Sequence, residues 1–393
     1  MIFPATKIWS LRAVGGAAFL ALLLGVQFVL AQRFSDYTNL MIMQAGVAVI
    51  LAVSLNLING IAGQFSLGHV GFAAVGAYAS AAFTVFAGPK LPFINPIVFA
   101  LGLLVGALAA ALAGWLVGTP SLRLRGDYLA IVTLGFGEII RVVLRNINAG
   151  KELRGATGFD DIPTWTSFVW VAGLAAACIV CVWSVSDSAI GRSMRAVRED
   201  EIAAEAAGIN TTRVKVTAFV IGAAWAGVAG GLQAHFSSLI RPTDFSFLES
   251  VKIVVMVVLG GLGSISGAAI AGAGLRVLEE KLRNSDWAIG AGVLLALLTA
   301  VLAWNASDKN APIAVRLRVL FAPAAMLGAV LGLHFFGRVW VEANAPSLRY
   351  IIYALILIVL MLLRPQGLFG RSELGAHLWR RRTKNTRDKS TPR

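Results

Sequence analysis

"ESVKIVVMVVLGGLGSISGAAIAGAGLRVLEEKL", Glu249 to Leu282, is the stretch on which the architecture turns. Two apolar arms flank a glycine-rich middle. The first arm, Glu249–Leu262, would reach only about 21 Å at the 1.5 Å rise of a helix. A bilayer's hydrocarbon core is roughly 30 Å thick, so this arm is too short for a full helical span. The segment therefore reads either as one crossing with a ragged end, or as a short or broken helix, a turn at "GGLGSISG" and a longer helix. The basic residues of the rest of the chain decide between them.

The chain is 58% hydrophobic and 14% charged, with its apolar residues gathered in runs of about 18–25, the length that spans a bilayer. Forty-one glycines and only five tyrosines fit packed membrane helices. Further spans are expected at Ala13–Ala31, Thr38–Ile58, Ser66–Gly88, Ile97–Gly118, Tyr128–Leu144, Trp165–Val185, Val214–Phe236, Trp287–Trp304, Val319–Gly337 and Tyr350–Leu363. The first is preceded by Lys7 and Arg12, but at about 19 residues it exceeds the core of a signal peptide.

Cytoplasmic loops are enriched in Lys and Arg. If the N-terminus starts inside, the fourth span returns at "TPSLRLRG", with Arg123 and Arg125, and the sixth at "GRSMRAVREDEIAAEAAGINTTRVK", Gly191 to Lys215. The tail "WRRRTKNTRDK" is strongly basic and belongs inside too. That fixes the parity: Glu249–Leu282 crosses an even number of times, which also brings Lys309, Arg316 and Arg318 to the cytoplasm. The loop Arg145–Pro163 falls outside despite Arg145, Lys151 and Arg154, and it also holds Glu152, Asp160 and Asp161. The expected fold is an all-α integral membrane protein, a polytopic bundle of about 10–12 membrane segments. It has a transmembrane domain over 1–370, a basic cytoplasmic tail over 371–393, and both termini cytoplasmic.

Several function classes fall away. A net charge of +14 would suggest nucleic acid in a soluble protein; here it marks cytoplasmic loops, and no nucleic-acid partner is expected. Cys178 and Cys181 lie a turn apart in an apolar run with no further cysteine to complete a metal site, so they read as inert thiols. There is no GxxxxGK[ST] phosphate loop and no HExxH, and His69, His235, His334 and His377 do not cluster. "GGLGSISG" has the spacing GxGxxxG between membrane helices, not a dinucleotide fingerprint.

A second glycine interruption, "LNLINGIAGQFSLGHVGFAAVGAY", Leu55 to Tyr78, mirrors the first in the other half of the chain. Discontinuous helices commonly build substrate paths at mid-membrane, because broken backbone is tolerated only beside protein or water. Candidate path residues are Asn56, Asn59, Gln64, Ser66 and His69 at one break and Gly260, Gly261 and Gly263 at the other. The alternative is close helix packing, the role expected of Gly102/Gly106, Gly114/Gly118 and Gly227/Gly231; both roles can coexist. His69 is a satisfied structural histidine or a substrate ligand, and Asn56 and Asn59 either line a cavity or bond a neighbouring helix. Glu138 lies mid-span with Arg141 three residues on, an i,i+3 spacing that permits an ion pair. Such a pair either steadies the bundle or serves translocation.

The island Gly191–Lys215 is polar where the chain is not. As a helix it places Arg195/Glu199 and Glu201/Glu205 at i,i+4 and gathers Met194, Val197 and Ile202 loosely to one side; Gly208 then breaks the run. The alternatives are a plain solvated helix and a helix–Gly–helix element offered to a partner that pushes on it.

"LNLINGIAGQFSLGHVGFAAVGAYASA", "GDYLAIVTLGFGEIIRVVLRN", the island, "VVLGGLGSISGA" and "RPQGLFG" together resemble membrane permease subunits of ABC importers for branched-chain amino acids, and most of all the M-type of their two paired permeases. The resemblance covers most of Ala13–Gly274 and Arg349–Gly370. It implies a heteromeric importer: a second permease subunit, two cytoplasmic ATPases carrying ATP-Mg, an extracytoplasmic binding protein, and the bacterial plasma membrane as its setting. This chain would bind no cofactor and form half of the path. "EAAGI", Glu205 to Ile209, is similar to the family's coupling loop, so Arg195, Arg198, Glu201, Glu205, Ala206, Ala207 and Gly208, within a loop over 191–213, become candidates for ATPase coupling. The chain departs from the pattern between about Arg276 and Leu348, where the pair of spans over 287–337 reads as an insertion. Related permeases carry branched-chain or other amino acids, urea, short amides or aromatic acids. An ion-driven secondary transporter is the competing class; it accounts for Glu138 but not for the island.

Overall fold

The computed structural model describes residues 35–90, 94–121, 127–149 and 153–283, together with Gly25 and Gln27. Most of Ala13–Ala31, the loop with Arg123 and Arg125, the pair over 287–337, the span Tyr350–Leu363 and the tail lie outside the described residues. By its contacts the chain divides after Ala273; of the unit beginning at Gly274, only 274–283 are described.

Helix α1, Asp36–Asn56, starts at Ser35, whose hydroxyl accepts from the Thr38 amide at 3.4 Å, and runs into a π-turn over Leu57–Ile61. Helix α2, His69–Ala82, is prolonged by a second π-turn, Phe83–Ala87. Helices α3 (Asn95–Ser121), α4 (Asp127–Asn146), α5 (Phe168–Asp187), α6 (Ala189–Glu199), α7 (Glu201–Ala206), α8 (Thr211–Ser237), α9 (Phe247–Gly260) and α10 (Ile265–Arg283) follow in order. Between α4 and α5 lies a short antiparallel hairpin, β1 (Asn148–Ala149) against β2 (Leu153–Arg154).

Among the described residues, five helices are long and apolar enough to cross a membrane: Asp36–Ile61, His69–Lys90, Asn95–Thr119, Phe168–Asp187 and Thr211–Ser237. Helix α4 forms where Tyr128–Leu144 was expected to span, but it is not among the five; it carries Asp127, Glu138, Arg141 and Arg145. The stretch Glu249–Leu282 folds as two helices joined by a turn over 261–264.

Helices α2, α3 and α8 pack most closely, and glycines permit it. A Cβ on Gly76 would collide with the backbone of Gly227, and one on Gly106 would lie 2.6 Å from the Gly76 carbonyl. Their neighbours bury Phe99, Ala229 and Leu232. Cys178, buried, faces α1, its Sγ 3.9 Å from the Ile50 carbonyl.

The bundle has two distinct ends. At one, Phe159 pairs with Ile240 through reciprocal backbone bonds of 2.8 and 3.0 Å and stacks on Phe86 with ring centroids 5.8 Å apart. The hairpin and the Pro242–Phe245 turn lie here. The other end carries the polar connector 188–210 between α5 and α8.

Candidate functional site: the connector and two helix breaks

The connector is a folded element, not a solvated loop. Ser188 caps α6 by accepting from the Gly191 amide at 3.2 Å. Arg195 reaches back to α5, donating to the Ser186 carbonyl at 2.9 Å and its hydroxyl at 3.0 Å. Met194 and Val197 are buried beneath. Asp200, in extended backbone, ends α6, and its carboxylate starts α7 by accepting from the Ile202 and Ala203 amides at 2.9 and 3.1 Å. This interruption resets the helical register. Ile202, expected beside Met194 and Val197, is 67% exposed instead. Of the i,i+4 residues Arg195 and Glu199, the first turns to Ser186 and the second is held by Arg198 at 2.9 Å.

Helix α7 is fastened at both ends of one face. Glu201 pairs with Lys215 at 2.5 Å, and the lysine side chain is only 2% exposed. Glu205 accepts from the Thr211 hydroxyl at 2.7 Å. Asn210 caps α8 through the Arg213 amide at 2.9 Å. Gly208 turns the chain at φ +84°, where a Cβ is disfavoured, and among the described residues nothing lies within 4 Å of the position a Cβ would take. What remains outward is a tip of mostly small residues, Ile202, Ala203, Ala206, Ala207 and Gly208. Lys215 was not singled out by sequence reasoning; a lysine one turn into an apolar helix, just after an acidic segment, was the available signal.

The two helix breaks meet at the connector end of the bundle, not midway along it. Asn56, buried on the last turn of α1, accepts from the Gly263 amide at 2.9 Å and donates to the Ser264 carbonyl at 3.0 Å. It bonds a neighbouring segment, one of the two roles its sequence position left open. A Cβ on Gly60 would collide with both Asn56 Oδ1 and the Gly263 amide, so the breaks touch backbone to backbone. Gly260 is packed equally tightly against Gly267, and Gly261 and Gly263 turn the chain at φ +109° and +92°.

Within the first break, Asn59 brackets Ser66, donating to its carbonyl at 3.3 Å and accepting from its amide at 3.1 Å. Gln64 donates to the Ala62 carbonyl at 3.2 Å. The Leu67 amide donates to the Thr133 hydroxyl of α4 at 3.1 Å. His69 shares a 2.8 Å bond with the Ser54 hydroxyl, while its Nδ1 and the Ser66 hydroxyl are buried without a hydrogen-bond partner among the described residues. A polar cavity of about 280 Å³ opens between this break and the connector, lined by Gln64, Phe65, Leu129, Arg198, Glu201 and Lys215.

Glu138 stands apart from this assembly. It pairs with Arg141 at 2.6 Å along α4, and its side chain is 36% exposed. It flanks a stripe of exposed residues: Tyr128, Ile131, Ile139 and Val142. Among the described residues no cluster of His, Cys, Asp and Glu converges as a metal site.

A family model described as "Branched-chain amino acid transport system / permease component" matches residues 37–302, extending into the segment that departs from the sequence resemblance. The chain is similar to the high-affinity branched-chain amino acid transport system permease protein LivM of Escherichia coli K12, at 35% identity over 68% of this chain and 68% of that one. LivM of Salmonella typhimurium LT2 is 36% identical over 60% of this chain and 61% of its own length. The permease protein LivH from the same Salmonella strain is 29% identical over 58% of this chain and 80% of its own. No solved structure matches.

Proposed function

The chain belongs to the family of permease components of branched-chain amino acid transport systems, and we propose that its connector is the handle by which separate ATPases move the bundle. It is an M-type membrane permease subunit of an ABC importer, closer to LivM than to LivH. Branched-chain amino acids are the substrate class this membership favours; nothing favours urea, amides, aromatic acids or an ion-driven mechanism. Its partners are a second permease of LivH type, two cytoplasmic ATPases that bind and hydrolyse ATP-Mg, and an extracytoplasmic binding protein. The connector and both termini then lie on the cytoplasmic side of the bacterial inner membrane.

The observation that carries this reading is the division of the connector into a fastened base and an exposed tip. Ion pairs and caps hold α6 and α7 rigidly to α5 and α8, so a push on Ile202–Gly208 is passed to the bundle and not absorbed. Small side chains at the tip allow it to enter a cleft. Arg195, Arg198, Glu201 and Glu205 belong to the base, while Ala206, Ala207 and Gly208 make the contact.

The conduit runs beside α4. The outward stripe of α3, Leu104, Leu108, Leu112 and Leu116, holds no charge and suits lipid. The corresponding face of α4 is flanked by the Glu138–Arg141 pair. A charge turned to hydrocarbon at mid-helix costs a few kcal/mol, so this face is turned to the second permease and the aqueous path between the two subunits. Asn59, Gln64, Ser66 and His69 then shape the inner end of that path, with Asn56, Gly260, Gly261 and Gly263 fixing its backbone.

Gly208→Arg tests the docking role: among the described residues nothing lies within 4 Å of the Cβ it adds, so beyond the local strain of a side chain at φ +84° it meets only what docks there. The tagged variant, purified from its host in mild detergent, is expected to retain the second permease and lose the ATPases. Recovery of ATPases in wild-type amounts would refute the docking assignment.

A further inference from the structure

Arg198 does not behave as a docking residue. It lies on α6 with the connector's other basic side chains, yet its side chain is only 20% exposed and turns inward, away from the tip. Its stem crosses Gly63 so closely that a Cβ there would collide with Arg198 Cγ. Its Nη1 donates to the Gly60 carbonyl at 2.7 Å, and Nη2 holds Glu199 at 2.9 Å. Nη1 also lies 3.1 Å from where a Cβ of Gly263 would stand. One guanidinium thus spans the connector, the end of α1 and the turn of the second break.

The receiving carbonyl is a particular one. In an uninterrupted α-helix, Gly60 O would accept from the amide four residues on, that of Gln64. Here the helix ends in a π-turn: the Ala62 amide bonds Leu57 O at 3.0 Å and the Gln64 amide bonds Ile58 O at 2.9 Å. Gly60 O is left as one of the orphan acceptors of a helix C-terminus, where the helix dipole favours a cation. A charge-assisted bond to it is stronger than a neutral one. Gly60 in turn abuts the Gly263 amide, and Asn56, one turn back, holds Gly263 and Ser264.

We infer that Arg198 is the strut of the transport cycle: a positioning residue that carries displacement of the connector, through the Gly60 carbonyl and Asn56, to both helix breaks at once. The inference rests on the docking role of the connector. Docking at the tip recruits the ATPases; the strut converts their movement into rearrangement of the breaks. Removing it uncouples hydrolysis from uptake without disturbing recruitment, a pattern that loss of docking does not produce.

The test uses the complete importer in proteoliposomes, with second permease, ATPases and binding protein, measuring ATP hydrolysis and leucine uptake on the same sample. Arg198→Met keeps the stem across Gly63 and removes the donors. It is expected to assemble with both ATPases and to hydrolyse ATP within about twofold of wild type, while uptake per ATP falls about tenfold, the scale of one lost charge-assisted bond. Arg198→Lys, which keeps the cation but not the fork, should fall between the two and serves alone if the methionine variant does not assemble. Wild-type uptake per ATP in either variant overturns the strut. So does loss of the ATPases from an otherwise intact complex, which would make Arg198 a docking residue. Gly208→Arg, run in parallel, reports separately on docking.

Discussion

Between Leu57 and Gly68 the chain supplies its own fastenings. Asn59 ties both backbone groups of Ser66, Gln64 bonds back to Ala62, and a π-turn closes the helix end. The second break, 261–264, is only four residues long; the Ser264 amide bonds the Gly261 carbonyl at 3.0 Å and the Gly267 amide bonds the Ser264 hydroxyl at 3.1 Å, but the Gly263 amide turns elsewhere. It borrows Asn56 from the first. The dependence runs one way: the first break can hold its shape without the second, but the second is completed by the first.

The most damaging change is expected at Gly60, where the breaks touch. Gly60→Ala drives a methyl into the Gly263 amide, which is backbone, and into Asn56 Oδ1, which is held by its bonds to Gly263 and Ser264. The cost should reach about 3 kcal/mol or more, the upper range for overpacking. Thermal unfolding in detergent, followed by size-exclusion chromatography, should show a much lower midpoint or no monodisperse peak. Near-wild-type stability would mean that the two breaks can separate freely.

Asn56→Leu comes next. It leaves the Gly263 amide without its partner, at about 1–3 kcal/mol, and takes one of two donors from the Ser264 carbonyl, which keeps the Ala268 amide at 3.1 Å. Hydrogen exchange should rise over 261–264 and stay unchanged over 64–68, with uptake reduced. Asn59→Ala is the mildest, about 1–2 kcal/mol, and reverses the pattern: faster exchange over 64–68 and none added over 261–264. If Asn59→Ala also loosens the second break, the dependence is mutual and the one-way picture fails.

Much of the architecture was legible before the fold was known. Among the described residues hydropathy located the five membrane-length helices, and the short first arm of Glu249–Leu282 called for a turn at "GGLGSISG", where α9 and α10 do separate. The Glu138–Arg141 pair followed from i,i+3 spacing alone. Three things did not follow. Asn56 finds its partners more than 200 residues away, a distance that no local pattern encodes. The outward turn of Ile202 depends on Asp200 breaking α6, because a single helical period was laid across two helices. The inward turn of Arg198 depends on a carbonyl freed by a π-turn, and periodicity carries no sign of π-turns. Local regularities reveal elements; the joints between elements are set by long-range contacts at irregular backbone.

Helix α8 has a consequence for how the protein is made. It is the least apolar of the five membrane-length helices, with Lys215 and His235 buried near its two ends and glycines pressed against α2 and α3. His235 is bonded to Thr84, at the end of the α2 segment, at 2.8 Å, and Lys215 to Glu201. Alone in lipid, such a helix would bring Lys215 in unpaired and His235 with only the Gly231 carbonyl of its own helix, at a cost of a few kcal/mol. The ribosome releases α2, α3 and the connector first, so the groove and both partners already exist when α8 leaves the insertion machinery. Chain order thus doubles as assembly order, and a rearranged gene that delivered α8 ahead of α2 would present the membrane with a helix it has reason to reject.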